Sequence, residues 1–326
     1  MATRIVASYF ASSARDVSDR CGKSGTIESV LKWTLALAVA VFTAQAPALT
    51  PDAPHKCDDC EGWNKAREPF RIYGNTYFVG SDGLSSILVV GNAGHILLDG
   101  GLEQTAPLID ANIRKLGFKT QDIKLIVNSH GHFDHAAGIA ALQRFTGATV
   151  AASASGAKAL MDGIATPDDP QAGFPRAFNA YPPVKGVRVV KDGETQRVGN
   201  ISVTPIFTPG HTPGSTTWTW QSCEDGKCLN MVYADSISAA TGPGYRYSDH
   251  PDVIAQLRRS ISRLGELPCD IVVSTHPSAT GLDAKVQKRA SRKTGDPDPF
   301  IDQGCRTLAA NALKGLEAKL AEEKKQ

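Results

Sequence analysis

K-L-I-V-N-S-H-G-H-F-D-H, residues 124–135, carries both a strand and a candidate reaction centre in one continuous stretch. Lys124 to Asn128 (KLIVN) is a short apolar run of the kind that makes a buried strand. It leads straight into His130, His132, Asp134 and His135, four ligand-type side chains within six residues. In a turn, alternation puts His130 and His132 on one side, while Asp134 and His135 address a second point. This density of imidazole and carboxylate points to a metal site rather than to satisfied core histidines.

Working outward, short apolar strands alternate with helices on both sides of this stretch. Upstream, Tyr77–Val79, Ser86–Val90 and His95–Leu98 read as strands, the last ending at Asp99-Gly100-Gly101. Gln104–Leu116 has helical spacing in Leu108, Ile109, Ile113 and Leu116. Downstream, the pattern predicts a helix over Ala136–Phe145, a strand over Thr149–Ala152, and a loop over the Pro-, Gly- and Asp-rich Pro167–Val184. A second β-rich half follows: strands at Ile201–Phe207, Ser215–Trp220, Met231–Ala234 and Ile271–Ser274, with helices at Val253–Leu264 and Thr307–Glu323. Two β-then-α halves with mixed connections predict an α/β domain of two mixed sheets flanked by helices.

Two more histidines lie just past predicted strand ends. His211 sits in T-P-G-H-T-P-G-S, where Gly and Pro fix a tight loop able to aim the ring, and His276 sits in S-T-H-P. They complete two sets of three protein ligands, and three ligands with an open position describe a catalytic zinc rather than a structural one. Imidazole and carboxylate also suit zinc better than magnesium or calcium. His55, His95 and His250 read as non-functional, in a terminal segment, a strand start and a loop.

The first 48 residues read as a leader. W-T-L-A-L-A-V-A-V-F, residues 33–42, follows Lys32 and precedes small residues. It is too short to span a bilayer, which needs about 20 apolar residues, and fits a secretory signal peptide. Cleavage after Ala46 would leave Pro47 at the new terminus, so cleavage after Ala48 is preferred, leaving 49–326 as one domain. The thirty residues before the apolar run are long for such a leader. No cysteine directly follows the run, which argues against a lipid anchor. The expected location is periplasmic or secreted.

Cysteine usage agrees with export. Apart from Cys21 in the leader, Cys57, Cys60, Cys223, Cys228, Cys269 and Cys305 make an even count, as expected of disulfides in an oxidising compartment. Cys223 and Cys228 bracket a polar turn between β-rich runs and read as a hairpin-tip bridge. Cys269 and Cys305 are placed to tie the last strand region to the C-terminal helix. Cys57-Asp-Asp-Cys60 has the spacing of a redox pair but no thioredoxin-like surroundings, and reads as structural.

Charge narrows the function classes. The whole chain has 35 Lys+Arg against 33 Asp+Glu. The leader's five basic and three acidic residues carry that net +2, so the remainder is close to neutral. This argues against a nucleic acid or other polyanion as partner. The basic run Lys285–Lys293 is read as a solvated face.

H-G-H-F-D-H, G-H-T-P-G-S and the late T-H-P, in this order and after L-L-D-G-G, resemble the metallo-β-lactamase superfamily. The chain from Trp63 onward is most similar to the subclass B3 metallo-β-lactamases. The specific matches are G-W-N at 62–64, G-S-T-T-W-T-W at 214–220, Y-A-D-S-I-S at 233–238, L-P-C-D at 267–270 and Cys305. The resemblance implies an αβ/βα sandwich with two Zn2+ per chain in a groove between the sheets. His130, His132 and His211 would hold the first, and Asp134, also carried as a catalytic residue, would hold the second with His135 and His276. Ser236 and Ser238 match positions that help hold the substrate carboxylate or the water network, Gln171 a contact from the groove loop, and Asp99 a carboxylate supporting the histidine loop. Some relatives pair an N-terminal cysteine with one in the segment matching 80–83; this chain has Asp82 there, which leaves Cys60 as a partner for Cys57.

The implied activity is opening of β-lactam rings by a hydroxide held on zinc, in a monomer acting on small molecules with no stable membrane anchor. Two rivals stand beside it. A lactonase or thioesterase of the same superfamily would use Asp235 to bridge the metals, and a non-catalytic zinc-binding module would have lost turnover altogether.

Overall fold

Strand alternation decides the layering of this molecule. In Gly94–Leu98, Ile96 and Leu98 point into one core while Leu97 points into another, so the strand is buried on both faces. The same holds for Met231 and Tyr233 against Val232, and for Ile271 and Val273 against Val272. Three apolar layers result, stacked between helices and two sheets. The computed structural model describes residues 48–325; the expected leader, apart from Ala48, and Cys21 lie outside the described residues.

The first sheet runs in chain order: β1 (Phe70–Tyr73), β2 (Thr76–Phe78), β3 (Ile87–Gly91), β4 (Gly94–Leu98), β5 (Ile123–Val127), β6 (Thr149–Ala152) and β7 (Arg188–Val189). Its first half is antiparallel, and β4 to β7 are parallel. The second comprises β8 (Gln196–Val198), β9 (Ile201–Phe207), β10 (Thr216–Glu224), β11 (Lys227–Ala234) and β12 (Ile271–Ser274), in the order β12-β11-β10-β9-β8. Only β11 and β12 pair in parallel there. The central layer joins inner residues of both sheets, including Phe78, Ile96, Val127, Trp218 and Tyr233. Helices Ala106–Lys115, Ile139–Thr146 and Ala154–Asp162 cover the first sheet, and Pro251–Glu266 and Cys305–Glu323 cover part of the second. This is the αβ/βα sandwich.

Three segments depart from the expected elements. The helix expected over Ala136–Phe145 is broken into Phe133–Ala136 and Ile139–Thr146. At the break, Gly138 packs so close to Gly100 that a β-carbon would meet its carbonyl oxygen. The expected Pro167–Val184 loop contains a helical turn, Arg176–Asn179. Ala154–Asp162 is an additional helix, begun by Ser153, whose hydroxyl accepts from the Gly156 N–H.

The sulfurs pair as Cys57–Cys60, Cys223–Cys228 and Cys269–Cys305. Cys223 and Cys228 face each other across the β10–β11 hairpin. Its two-residue turn, Asp225-Gly226, has both φ angles positive, the geometry that suits the twist of paired strands.

Candidate metal centre

The chemistry-bearing residues follow the C-terminal ends of five strands: Asp99 after β4, His130 after β5, His211 after β9, Asp235 after β11 and His276 after β12. The peptide that delivers His130 is held from both sheets. The Ser129 N–H donates to Asp99 Oδ1 (2.7 Å), its hydroxyl to Asp99 Oδ2 (2.6 Å), and the Asn128 amide to Asp99 Oδ1 (3.0 Å). From the second sheet, Trp218 Nε1 donates to the Asn128 carbonyl (3.0 Å) and the Thr216 N–H to that of Ser129 (2.8 Å). The Tyr233 hydroxyl adds a fourth bond to Asp99, at 2.8 Å. Asp99 itself has φ +59°, a conformation Asp tolerates better than most residues. Asp99 thus holds the segment before His130 through the Ser129 backbone N–H and hydroxyl and the Asn128 side chain.

Glycine is required at two points of the ligand loops. Gly131, between His130 and His132, lies so close to the Ala154–Asp162 helix that a β-carbon would sit 2.5 Å from that of Ala159. Gly210, before His211, has φ +136° and packs on Leu257.

Behind four of the imidazoles stands a specific acceptor. His130 Nδ1 faces Asp235 Oδ1 at 2.6 Å. His132 Nε2 faces both oxygens of Asp169 at 3.0 and 3.2 Å. His211 Nδ1 meets the Ser238 carbonyl at 3.0 Å and its hydroxyl at 3.2 Å, and His276 Nδ1 meets the Gly83 carbonyl at 3.2 Å. Such rear bonds fix tautomer and ring direction and leave the other nitrogen of each ring as a ligand. One ligand atom each from His130, His132 and His211 fall within 4.8 Å of one another, and so do those of His130, Asp134 and His135. The structure therefore brings five of the six expected ligands into two compact triads that share His130. His276 stands at the rim, its Nε2 3.3 Å from Asp134 Oδ2 and its side chain 30% exposed.

The donor set fits a divalent metal. His130 Nε2 and His135 Nδ1 are buried without a hydrogen-bond partner, which is costly unless another group meets them, and His135 Nε2 has only the Asp134 carboxylate beside it, at 3.0 Å. Burial, followed by neighbouring rings, holds His130 well below its usual range and pushes His211 down to about 3. Both are thus neutral, the form a metal needs. At His132 and His135 burial also opposes the charged ring, but the carboxylates of Asp169 and Asp134 outweigh it and raise both. For Asp134, burial alone would raise the carboxyl, yet His135 and His276 hold it well below the carboxylate range. A charged cluster poised around shared ligand atoms is what a cation would replace.

The triads form part of a cleft of about 300 Å³, whose other walls are Trp63, Phe133, Gln171, Phe174, Phe178, Ser236, Ser238, Ala240 and His276. Gln171 reaches the site, its amide nitrogen 3.5 Å from His132 Nδ1. Ser236 shares a hydrogen bond with the Thr275 hydroxyl at 2.8 Å. Sequence reasoning missed Asp169, Trp63 and the three phenylalanines. His55, set aside as part of the terminal segment, is buried against Phe133. Of the other two set-aside histidines, His95 packs on Phe118 and His250 stacks on Tyr245.

The family model described as the metallo-beta-lactamase superfamily matches residues 79–224. Among solved structures, Rm3 metallo-beta-lactamase is 49% identical with a TM-score of 0.78, covering 82% of this chain and 99% of that one. MEM-A1, a subclass B3 metallo-beta-lactamase isolated from a soil metagenome library, is 45% identical with a TM-score of 0.76, covering 80% and 98%. A hydroxyacylglutathione hydrolase of Cereibacter sphaeroides is 26% identical over 160 residues, 49% of this chain. The chain spans about half the length of that curated relative.

Proposed function

The chain belongs to the metallo-β-lactamase superfamily, and from that premise we propose that it is an exported, two-zinc β-lactamase of the B3 kind. The observation that carries this reading is the pair of triads sharing His130 in a cleft lined by Ser236 and Ser238. His130, His132 and His211 would hold one zinc, and Asp134 and His135 would hold the other together with His276, whose Nε2 lies beside Asp134 at the rim. When bound, zinc supplies a Lewis acid for the lactam carbonyl and lowers the pKa of water toward 7.

The protein's own groups do the rest. Asp235 and Asp169 keep His130 and His132 in the tautomers that present Nε2 and Nδ1 to the metal. Among the described residues lining the cleft there is no Lys or Arg. The Ser236 and Ser238 hydroxyls are uncharged side-chain donors that could meet a carboxylate beside the lactam nitrogen, with the Gln171 amide and the Trp63 indole also on the lining. Trp63, Phe133, Phe174 and Phe178 bind the apolar part of the substrate and exclude water from it. Gln171 closes the groove from the loop.

In the lactonase or thioesterase reading Asp235 could bridge the metals. Its Oδ1 instead lies against the rear nitrogen of His130, and this weighs against that role. Export is supported by the three cysteine pairs; among the described residues no helix is long and apolar enough to cross a membrane. We take 1–48 as a removed leader and 49–326 as one monomeric domain. The test is turnover of a chromogenic cephalosporin by zinc-loaded protein with and without a chelator. Metal-dependent turnover is expected; thioester cleavage without lactam cleavage would overturn the reading.

A further inference from the structure

Phe133, Phe174 and Phe178 make one aromatic wall of the cleft. Phe178 meets Phe133 edge-on at 5.2 Å between ring centres and lies tilted by 38° against Phe174 at 4.9 Å. The wall joins two unlike segments. Phe133 belongs to the metal-ligand turn, whereas Phe174 and Phe178 belong to the 167–184 loop, whose Gly173, Pro175, Arg176 and Ala177 are exposed. A wall half built from an exposed loop needs an attachment to hold its shape.

His55 supplies one from behind. Its ring stacks on Phe133 at 4.1 Å between centres and 11° between planes. Its Nε2 lies 2.8 Å from the Phe178 carbonyl, so that the ring touches both halves of the wall at once. The His55 backbone is clamped in turn: its N–H donates to Gln104 Oε1, and Gln104 Nε2 donates to its carbonyl, both at 2.9 Å. Nδ1 faces Glu103 Oε1 at 3.6 Å, so an acceptor stands at each ring nitrogen, which favours the doubly protonated ring that donates from Nε2 to the Phe178 carbonyl. His55 is 9% exposed and is not among the residues lining the cleft.

We infer that His55 is a positioning residue, setting the distance between Phe133 and Phe178 and thereby the fit of an apolar acyl substituent on the substrate. This rests on the β-lactamase reading for the identity of the substrate, but not for the order of the wall. Stacking and a carbonyl hydrogen bond each contribute on the scale of several-fold in an equilibrium.

The test compares wild type with His55→Ala, His55→Phe and His55→Gln, using benzylpenicillin and 6-aminopenicillanic acid, which differ in the acyl group. His55→Ala should raise KM for benzylpenicillin about five- to tenfold relative to 6-aminopenicillanic acid, with kcat and bound zinc little changed. His55→Phe keeps the stack and His55→Gln keeps a donor, so each should fall between; they also stand in if the alanine variant folds poorly. Amide hydrogen exchange gives a readout independent of turnover: residues 174–180 should exchange faster in His55→Ala while 201–216 do not. An unchanged KM ratio, or a rise shared equally by both substrates, would overturn the inference. If wild type turns over neither substrate, the β-lactamase reading fails, and exchange alone then decides whether His55 holds the wall.

Discussion

Removing the Asp169 carboxylate should weaken a metal that Asp169 never touches. In Asp169→Ala, His132 loses acceptors at 3.0 and 3.2 Å, and the Gln171 N–H loses one at 2.8 Å. The ring is then free to turn and to move its proton to Nδ1, the nitrogen needed as ligand. Loss of such an outer partner costs about 10–100-fold in metal affinity, or roughly 1.4–2.7 kcal/mol. Asp169→Asn keeps one acceptor oxygen and should lose less. Because Asp169 rides on the 167–184 loop, linkage adds a second expectation. If loop order strengthens metal binding, metal must order the loop by the same factor. Competition against a chromophoric chelator measures the first effect, and amide exchange across 167–184 with and without zinc measures the second. An Asp169→Ala protein that binds its metals within twofold of wild type would refute the reasoning, as would a loop indifferent to zinc.

Ser236→Ala and Ser238→Ala should both retain metal, since the Ser238 backbone carbonyl still holds His211 Nδ1. KM for carboxylate-bearing lactams should rise about three- to tenfold with a smaller change in kcat; unchanged KM would remove the assigned role. Replacing Cys269 and Cys305 together by serine opens a link across a sequence separation of 36 and should cost about 4 kcal/mol on the loop-entropy model, read as a lowered urea midpoint. Burial raises the Asp99 carboxyl to about 6 from its ordinary 3.8. Its protonated form is thus favoured by folding, and that contribution is present below about pH 4 and lost as pH rises through about 6. In metal-free protein the stability of wild type relative to Asp99→Asn should therefore fall across that window, and a flat difference in urea midpoints would contradict it.

Much of the fold was legible because burial writes itself into local pattern. The Thr149–Ala152, Ile201–Phe207 and Ile271–Ser274 strands form over the predicted residues, each being a short apolar run or a clean alternation. The Ala154–Asp162 helix was not legible. Its sequence, A-S-G-A-K-A-L-M-D, leans on alanine and glycine, small residues that pack closely under the His130 turn but give little hydrophobic contrast. The break at Gly138 was hidden for a related reason, since close backbone approach to Gly100 is a fact of the packed fold.

The same division runs through the site. Ligand identity is local: His130, His132, Asp134 and His135 announce themselves by density, and His211 by its Gly-Pro loop. Ligand orientation is not local. His130 is aimed by Asp235, 105 residues away in sequence, and His132 by Asp169, 37 residues away. Nothing in D-D-P at 168–170 separates Asp169, which is buried, from its exposed neighbour Asp168. His55, 78 residues before Phe133, is further still from any pattern that would connect them. His276 shows the converse case, a residue that the resemblance groups with Asp134 and His135 but whose side chain the fold leaves 30% exposed at the rim. A metal centre of this type is specified twice, once by the side chains that can bind and once by the acceptors behind them. Only the first specification is compact enough in sequence to be seen before the chain folds.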